Sequence, residues 1–140
     1  MSDLKYFRVH TNENAYATQR PRGLFVAVGK LVDSKIMDQL EIEEYWKNRT
    51  WFEANLPVPP FYEAGNPEKA ITWFKDTSTG REMYEKMDFY RRMAEKYCIE
   101  LWVTTAHVVP GRVIYEDEYQ IAVADSLHEG AGFETRKLLF

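Results

Sequence analysis

AITWFKDTSTGREMYEKMDFYRRMAEKYCIELWVTTAHVV, residues 70–109, reads as strand, helix and strand in succession. Ala70, Thr72 and Phe74 alternate with Ile71 and Trp73, the period-two signature of a strand with two different faces. Met83, Met87, Tyr90, Ala94 and Tyr97 then recur at helical spacing and form one apolar stripe. Thr79 with Glu82 has the form of a capping box, and Lys96 near the helix end suits the macrodipole. Ile99 to Val109 alternates again. This order predicts a right-handed βαβ unit.

Toward the C-terminus, Pro110-Gly111 is a turn, and Arg112–Tyr115 and Tyr119–Ala124 are two strands around Glu116-Asp117-Glu118. They predict an antiparallel meander. Toward the N-terminus, Leu4–Val9 reads as a strand and Thr11–Arg22 as a polar loop. Leu24-Phe25-Val26-Ala27-Val28, ended by Gly29, reads as a second strand. Val32–Asn55 is helical, in one or two pieces, with a capping box of Asp38 and Glu41. Its stripe is Ile42, Tyr45, Trp46, Arg49 and Phe52. Leu56-Pro57 stops the helix because the residue before proline avoids the helical region. Pro57, Pro59 and Pro60 make the next segment extended and stiff, and Gly65-Asn66-Pro67 is a turn. The expected fold is therefore α/β of the α+β kind: a mixed, largely antiparallel sheet of about five strands with two main helices. Residues 1–124 form the domain, and 125–140 read as a polar tail ending in apolar Leu138-Leu139-Phe140, which could dock on the domain's own core or seal a homodimer.

With 140 residues, 45% of them hydrophobic and 15% aromatic, the chain can bury a core without staples. A net charge of −4 offers no global attraction to phosphate, so nucleic acid is not an expected partner; Arg20-Pro21-Arg22 is the local basic patch. The single cysteine, Cys98, cannot pair within the chain, and it reads as a buried small hydrophobe between helix and strand. No signal-like leader and no run of about 18 apolar residues occurs, so the expected setting is cytoplasmic with no membrane span. His10, His107 and His128 are far apart and lack ligand spacing, so no metal site is expected. No phosphate-binding glycine loop or nucleophile elbow occurs.

Tyr6-Phe7-Arg8-Val9 and Glu116-Asp117-Glu118 together resemble the toxin-like ADP-ribosyltransferases, which carry an arginine on the first strand and a late Glu-x-Glu. The resemblance implies NAD as cofactor. Arg8 would then hold its phosphates, Glu118 would orient the ribose and stabilise an oxocarbenium-like state, and Glu116 would act on the acceptor. An arginine suits such bidentate phosphate contact. The family's Ser-Thr-Ser strand has no counterpart: Thr77-Ser78-Thr79 falls at a helix start. This reading requires Arg8 and Glu118 to line one cleft. A wider set of phrases, WFEANLP (51–57), ITWFKD (71–76) and PGRVIYEDEYQI (110–121), resembles a family of small uncharacterised bacterial proteins and implies no activity.

The transferase is the alternative; the expected function is that of a binding or regulatory protein without chemistry or cofactor, its partner a protein or a small molecule. Its surface would be Trp51, Trp73, Lys75, Tyr115, Tyr119 and Gln120. Exposed aromatics beside polar groups mark such patches. Trp46 and Trp51, five residues apart on a helix, cannot share a face.

Overall fold

The computed structural model describes residues 5–14 and 21–138. Its strands are β1 (Tyr6–Asn14), β2 (Pro21–Gly23), β3 (Ile71–Lys75), β4 (Trp102–Ala106), β5 (Arg112–Glu116), β6 (Gln120–Ala124) and β7 (Phe133–Lys137). Its helices are α1 (Leu24–Asp33), α2 (Gln39–Asn55), α3 (Ser78–Glu85) and α4 (Asp88–Lys96), with a 3-10 turn at Pro60–Ala64. The sheet runs β5-β6-β3-β1-β4-β7, with the short β2 beside β1. The α+β class holds. Every described pairing is antiparallel, so the sheet is not mixed, and it is wider than the five strands expected.

Alternation sorts the side chains into two layers. Phe7 and Val9 of β1 pack with Leu24, Tyr45, Phe52, Met83, Tyr90 and Ala94 from the helices. Tyr6, Ile71, Trp73, Ile121 and Val123 form a second, smaller cluster on the opposite face. The face assignment read along 70–74 is thus borne out. So is the stripe: Met83, Met87, Tyr90 and Ala94 are buried, and Tyr97 is half-buried against the same core.

Several elements differ from the sequence reading. Leu24–Val28 is the first half of α1 rather than a strand. A five-residue apolar run suits either state, and here Leu24, Ala27 and Val28 are buried at helical spacing. The expected single helix after β3 is two, α3 and α4, broken at Lys86-Met87. Its cap is Thr77, whose hydroxyl accepts from the Gly80 N–H at 3.1 Å, rather than a Thr79–Glu82 box. β3 and β4 do run parallel, since each is antiparallel to β1, but β1 lies between them and splits the βαβ unit. The 125–140 segment is no tail: β7 pairs with all five residues of β4. Leu138 joins the helical-side core, and Leu139 and Phe140 lie outside the described residues. β1 extends to Asn14 through part of the expected loop. Leu4, Arg20 and the Arg22 side chain also lie outside the described residues.

The Asp38–Glu41 capping box forms as expected. The Asp38 carboxylate accepts from Glu41 N–H at 2.9 Å, and Glu41 accepts from Asp38 N–H at 3.0 Å. Glu41 also accepts from Lys96 Nζ at 2.5 Å and from the Tyr97 hydroxyl, so it ties the start of α2 to the end of α4. Lys96 foremost, and then Tyr97, hold the Glu41 carboxyl down to about 2 from its ordinary 4.5. A carboxyl whose folded pKa is depressed stabilises the fold above its unfolded value and loses that contribution as pH falls through the folded one. Stability should therefore decline between about pH 4.5 and about pH 2, and Glu41→Gln should flatten that decline in acid titrations followed by circular dichroism.

Gly80 marks a close approach of α3 to the sheet. A Cβ there would stand 2.0 Å from the Lys75 carbonyl oxygen, a backbone atom that cannot step aside. Gly80→Ala should cost about 2 kcal/mol or more in urea unfolding, the range of an overpacked core.

Candidate functional site

β1 meets β3 only at Tyr6↔Lys75 and Phe7↔Phe74. Further along, His10 faces Trp102 of β4 on one edge and Gly23 of β2 on the other. β2 therefore takes the edge that β3 has left, and the strands fork between these two pairings. Arg8 lies at the fork. By alternation it belongs to the sheet face of Tyr6 and His10, yet it also lines the cleft on the helical side. That cleft, about 950 Å³, is walled by α1, α2, the proline segment and β3. The size is that of a small-molecule site.

Arg8 is 9% exposed. Among the described residues its guanidinium bonds to His128, NH1 to Nε2 at 3.2 Å, and no described carboxylate pairs with it. Burial lowers its pKa to about 10, because removal from water penalises the cation; the nearby Tyr62 phenol acts weakly the other way. Gly23 stands close by: a Cβ there would lie 3.4 Å from Arg8 NH2. α1 starts at the next residue with no acidic side chain in its first turn, so the helix end adds positive potential.

Beneath Arg8 the sheet is polar and neutral. His10 Nδ1 must donate to the Thr11 carbonyl at 2.8 Å, which leaves Nε2 to accept from the Thr104 hydroxyl at 2.6 Å. The Thr104 oxygen in turn meets Thr135 Oγ1 at 2.8 Å. Burial first, and Arg8 as well, lower the His10 pKa, which favours the neutral ring and adds no second cation beside Arg8.

The rest of the cleft is aromatic. Phe25, Phe52 and Tyr90 meet edge to face at centroid distances of 4.9 to 5.8 Å. Tyr84 adds a buried hydroxyl with no hydrogen-bond partner among the described residues, while Arg91 lies 4.8 Å over its ring. Burial raises the Tyr84 pKa, so the phenol keeps its proton as a donor. At the rim, Lys30, Asp33, Arg49 and Glu53 are exposed, and Arg49 pairs with Glu53 at 3.0 Å.

Of the residues singled out from sequence, Arg8, Trp73 and Gln120 line this cleft and the others do not. Trp73 is 1% exposed, and its indole N–H donates to Ser126 Oγ at 3.1 Å. Gln120 Nε2 donates to the Pro57 carbonyl at 2.8 Å and to Asp117 Oδ2 at 3.1 Å, which fastens the proline wall to the sheet. Glu116 is exposed and pairs with Lys75 at 2.5 Å. Glu118 is exposed on the β5–β6 turn. Asp117 organises that turn, accepting from the N–H groups of Tyr119 and Gln120 and from the Tyr115 hydroxyl. The Arg8–Glu118 cleft that the transferase resemblance requires is not formed. Trp51 is 39% exposed on α2, away from the cleft, as is Trp46. Cys98 is exposed rather than buried. No group of His, Cys, Asp and Glu suited to a metal occurs among the described residues. Sequence reading missed Gly23, Phe25, Tyr62 and Tyr84. Taking Leu24–Val28 for a strand hid the α1 wall, and an unpartnered tyrosine has no sequence signature.

Comparison with protein-family models, with curated proteins and with solved structures finds no match.

A buried cation without a countercharge is a cost to the empty fold, and an apolar side chain of similar length removes it. Arg8→Met should stabilise the ligand-free protein by about 1 kcal/mol or more, read as a higher midpoint in chemical denaturation.

Proposed function

We propose that this chain binds a small organic anion in the forked cleft, with Arg8 as the countercharge. The observation that carries the reading is a guanidinium 9% exposed at the fork, facing a cleft of about 950 Å³, with no described carboxylate beside it. A fold that retains such a group gives up stability, and binding an anion recovers it. The aromatic walls and the donor hydroxyl of Tyr84 would hold the remainder of the ligand. The proline segment, fastened through Gln120, would fix the shape of the opening.

An NAD-using transferase would share Arg8 as phosphate holder. Glu116 and Glu118 stand outside the cleft, so the reading as a binding protein is preferred. No described helix is long and apolar enough to cross a membrane, which fits a ligand arriving from water.

A thermal-shift screen of organic acids, phosphates and nucleotides tests the proposal. At least one anion should raise Tm, with stabilisation growing with concentration toward about 2.7 kcal/mol at a hundredfold excess over Kd. The rise should vanish in Arg8→Gln. A rise with every anion that survives this substitution would sink the assignment of Arg8. A rise confined to NAD and lost in Arg8→Ala would move the transferase reading ahead.

A further inference from the structure

The charges around the cleft narrow the class of anion. Among the described residues, five charged side chains line it: Arg8, Lys30, Asp33, Arg49 and Glu53. The last four are exposed at the rim, two of each sign. They offset one another, and Arg49 is already bonded to Glu53. Only Arg8 of these is buried, so among the described residues the interior presents one positive charge with no carboxylate beside it. The attraction of Arg8 for an anion grows in proportion to the anion's charge, whereas the cost of taking the anion out of water grows as its square. For ions of equal size, a dianion therefore gains about twice the attraction for about four times the desolvation cost. The field of the α1 terminus amounts to about half a charge and does not close that gap. Among the described residues no second buried cation and no glycine loop stands ready for a further phosphate.

The remaining lining fixes the body. Phe25, Tyr45, Phe52 and Tyr90 offer ring faces and edges, and the Tyr84 hydroxyl offers one more donor.

Resting on the anion-binding reading above, we infer that the ligand is a monoanion with an aromatic or alkyl body, a carboxylic acid by chemistry, and not a nucleotide or phosphate monoester. Its carboxylate meets Arg8 in the fork, and its body lies against the aromatic wall.

Matched probes on one body test the charge rule. Naphthoate, naphthamide and naphthyl phosphate are titrated calorimetrically into the full chain, with dodecanoate as a second body. At about pH 8 the phosphate is a dianion, its second pKa being about 6. Naphthoate or dodecanoate should bind, and the neutral amide should bind at least about tenfold more weakly than its acid. Naphthyl phosphate should bind more weakly than naphthoate at about pH 8 and gain affinity near pH 5, where it carries one charge. Arg8→Gln should bring naphthoate down to the amide's affinity. The comparison of acid with amide on the unsubstituted chain decides the matter even if that variant folds poorly. Equal affinity for acid and amide would overturn the inference. Naphthyl phosphate binding as tightly as naphthoate at about pH 8 would overturn the monoanion while leaving the anion cleft in place. Silence from all four probes would overturn both.

Discussion

Holding Arg8 in the fork between β1 and β3 takes a guanidinium out of water for the return of a hydrogen bond to an imidazole. β2 closes the edge of β1 that β3 vacates, and Gly23 leaves room beside the guanidinium. Burial and the nearby Arg8 favour neutral His10, and its bonds to Thr11 and Thr104 fix which ring nitrogen carries the proton. A structural arginine would be expected to meet a carboxylate; among the described residues this one meets His128 and lines a cleft. The unmet charge and the open space are two aspects of one feature, the departure of β3 from β1.

The helical layer makes that departure tolerable. Phe25, Phe52 and Tyr90 pack edge to face with one another and form one continuous wall of the cleft. Glu41 bolts α2 to α4 through Lys96 and Tyr97, and Gln120 bolts the proline segment to β6. Glu41 and Gln120, the acceptor of one fastening and the donor of the other, are themselves buried, where a hydrogen bond is worth more than at the surface. The cleft is thus walled by elements that hydrogen bonds fasten to the rest of the fold.

The sequence makes local patterns legible and long-range ones obscure. Alternation shows the two faces of β3, the helical stripe shows the buried side of α3 and α4, and the Asp38–Glu41 box shows the start of α2. Each of these depends on residues within one or two turns of each other. The Leu24–Val28 run misleads because an apolar run of that length fits two periods, and only packing against Phe52 and Tyr90 decides between them. The split of the βαβ unit by β1 depends on pairing across the whole chain. Of the site, Arg8 stands out for its strand position, but its cleft has no sequence signature. Glu116-Asp117-Glu118 can be read as a carboxylate site or as a turn. Its middle residue organises a turn, and the outer two are exposed.

The place of β7 carries one more consequence. Residues 133–137 cover the outer edge of β4, with side chains rich in charge at Glu134, Arg136 and Lys137. Charged edge strands discourage the docking of a foreign strand. A chain cut after Ala124 would instead present bare backbone N–H and C=O groups along Trp102-Val103-Thr104-Thr105, a β-branched ribbon with nothing to repel a neighbour. In the fold β7 occupies that ribbon, and its charged side chains present an edge that disfavours cross-strand stacking.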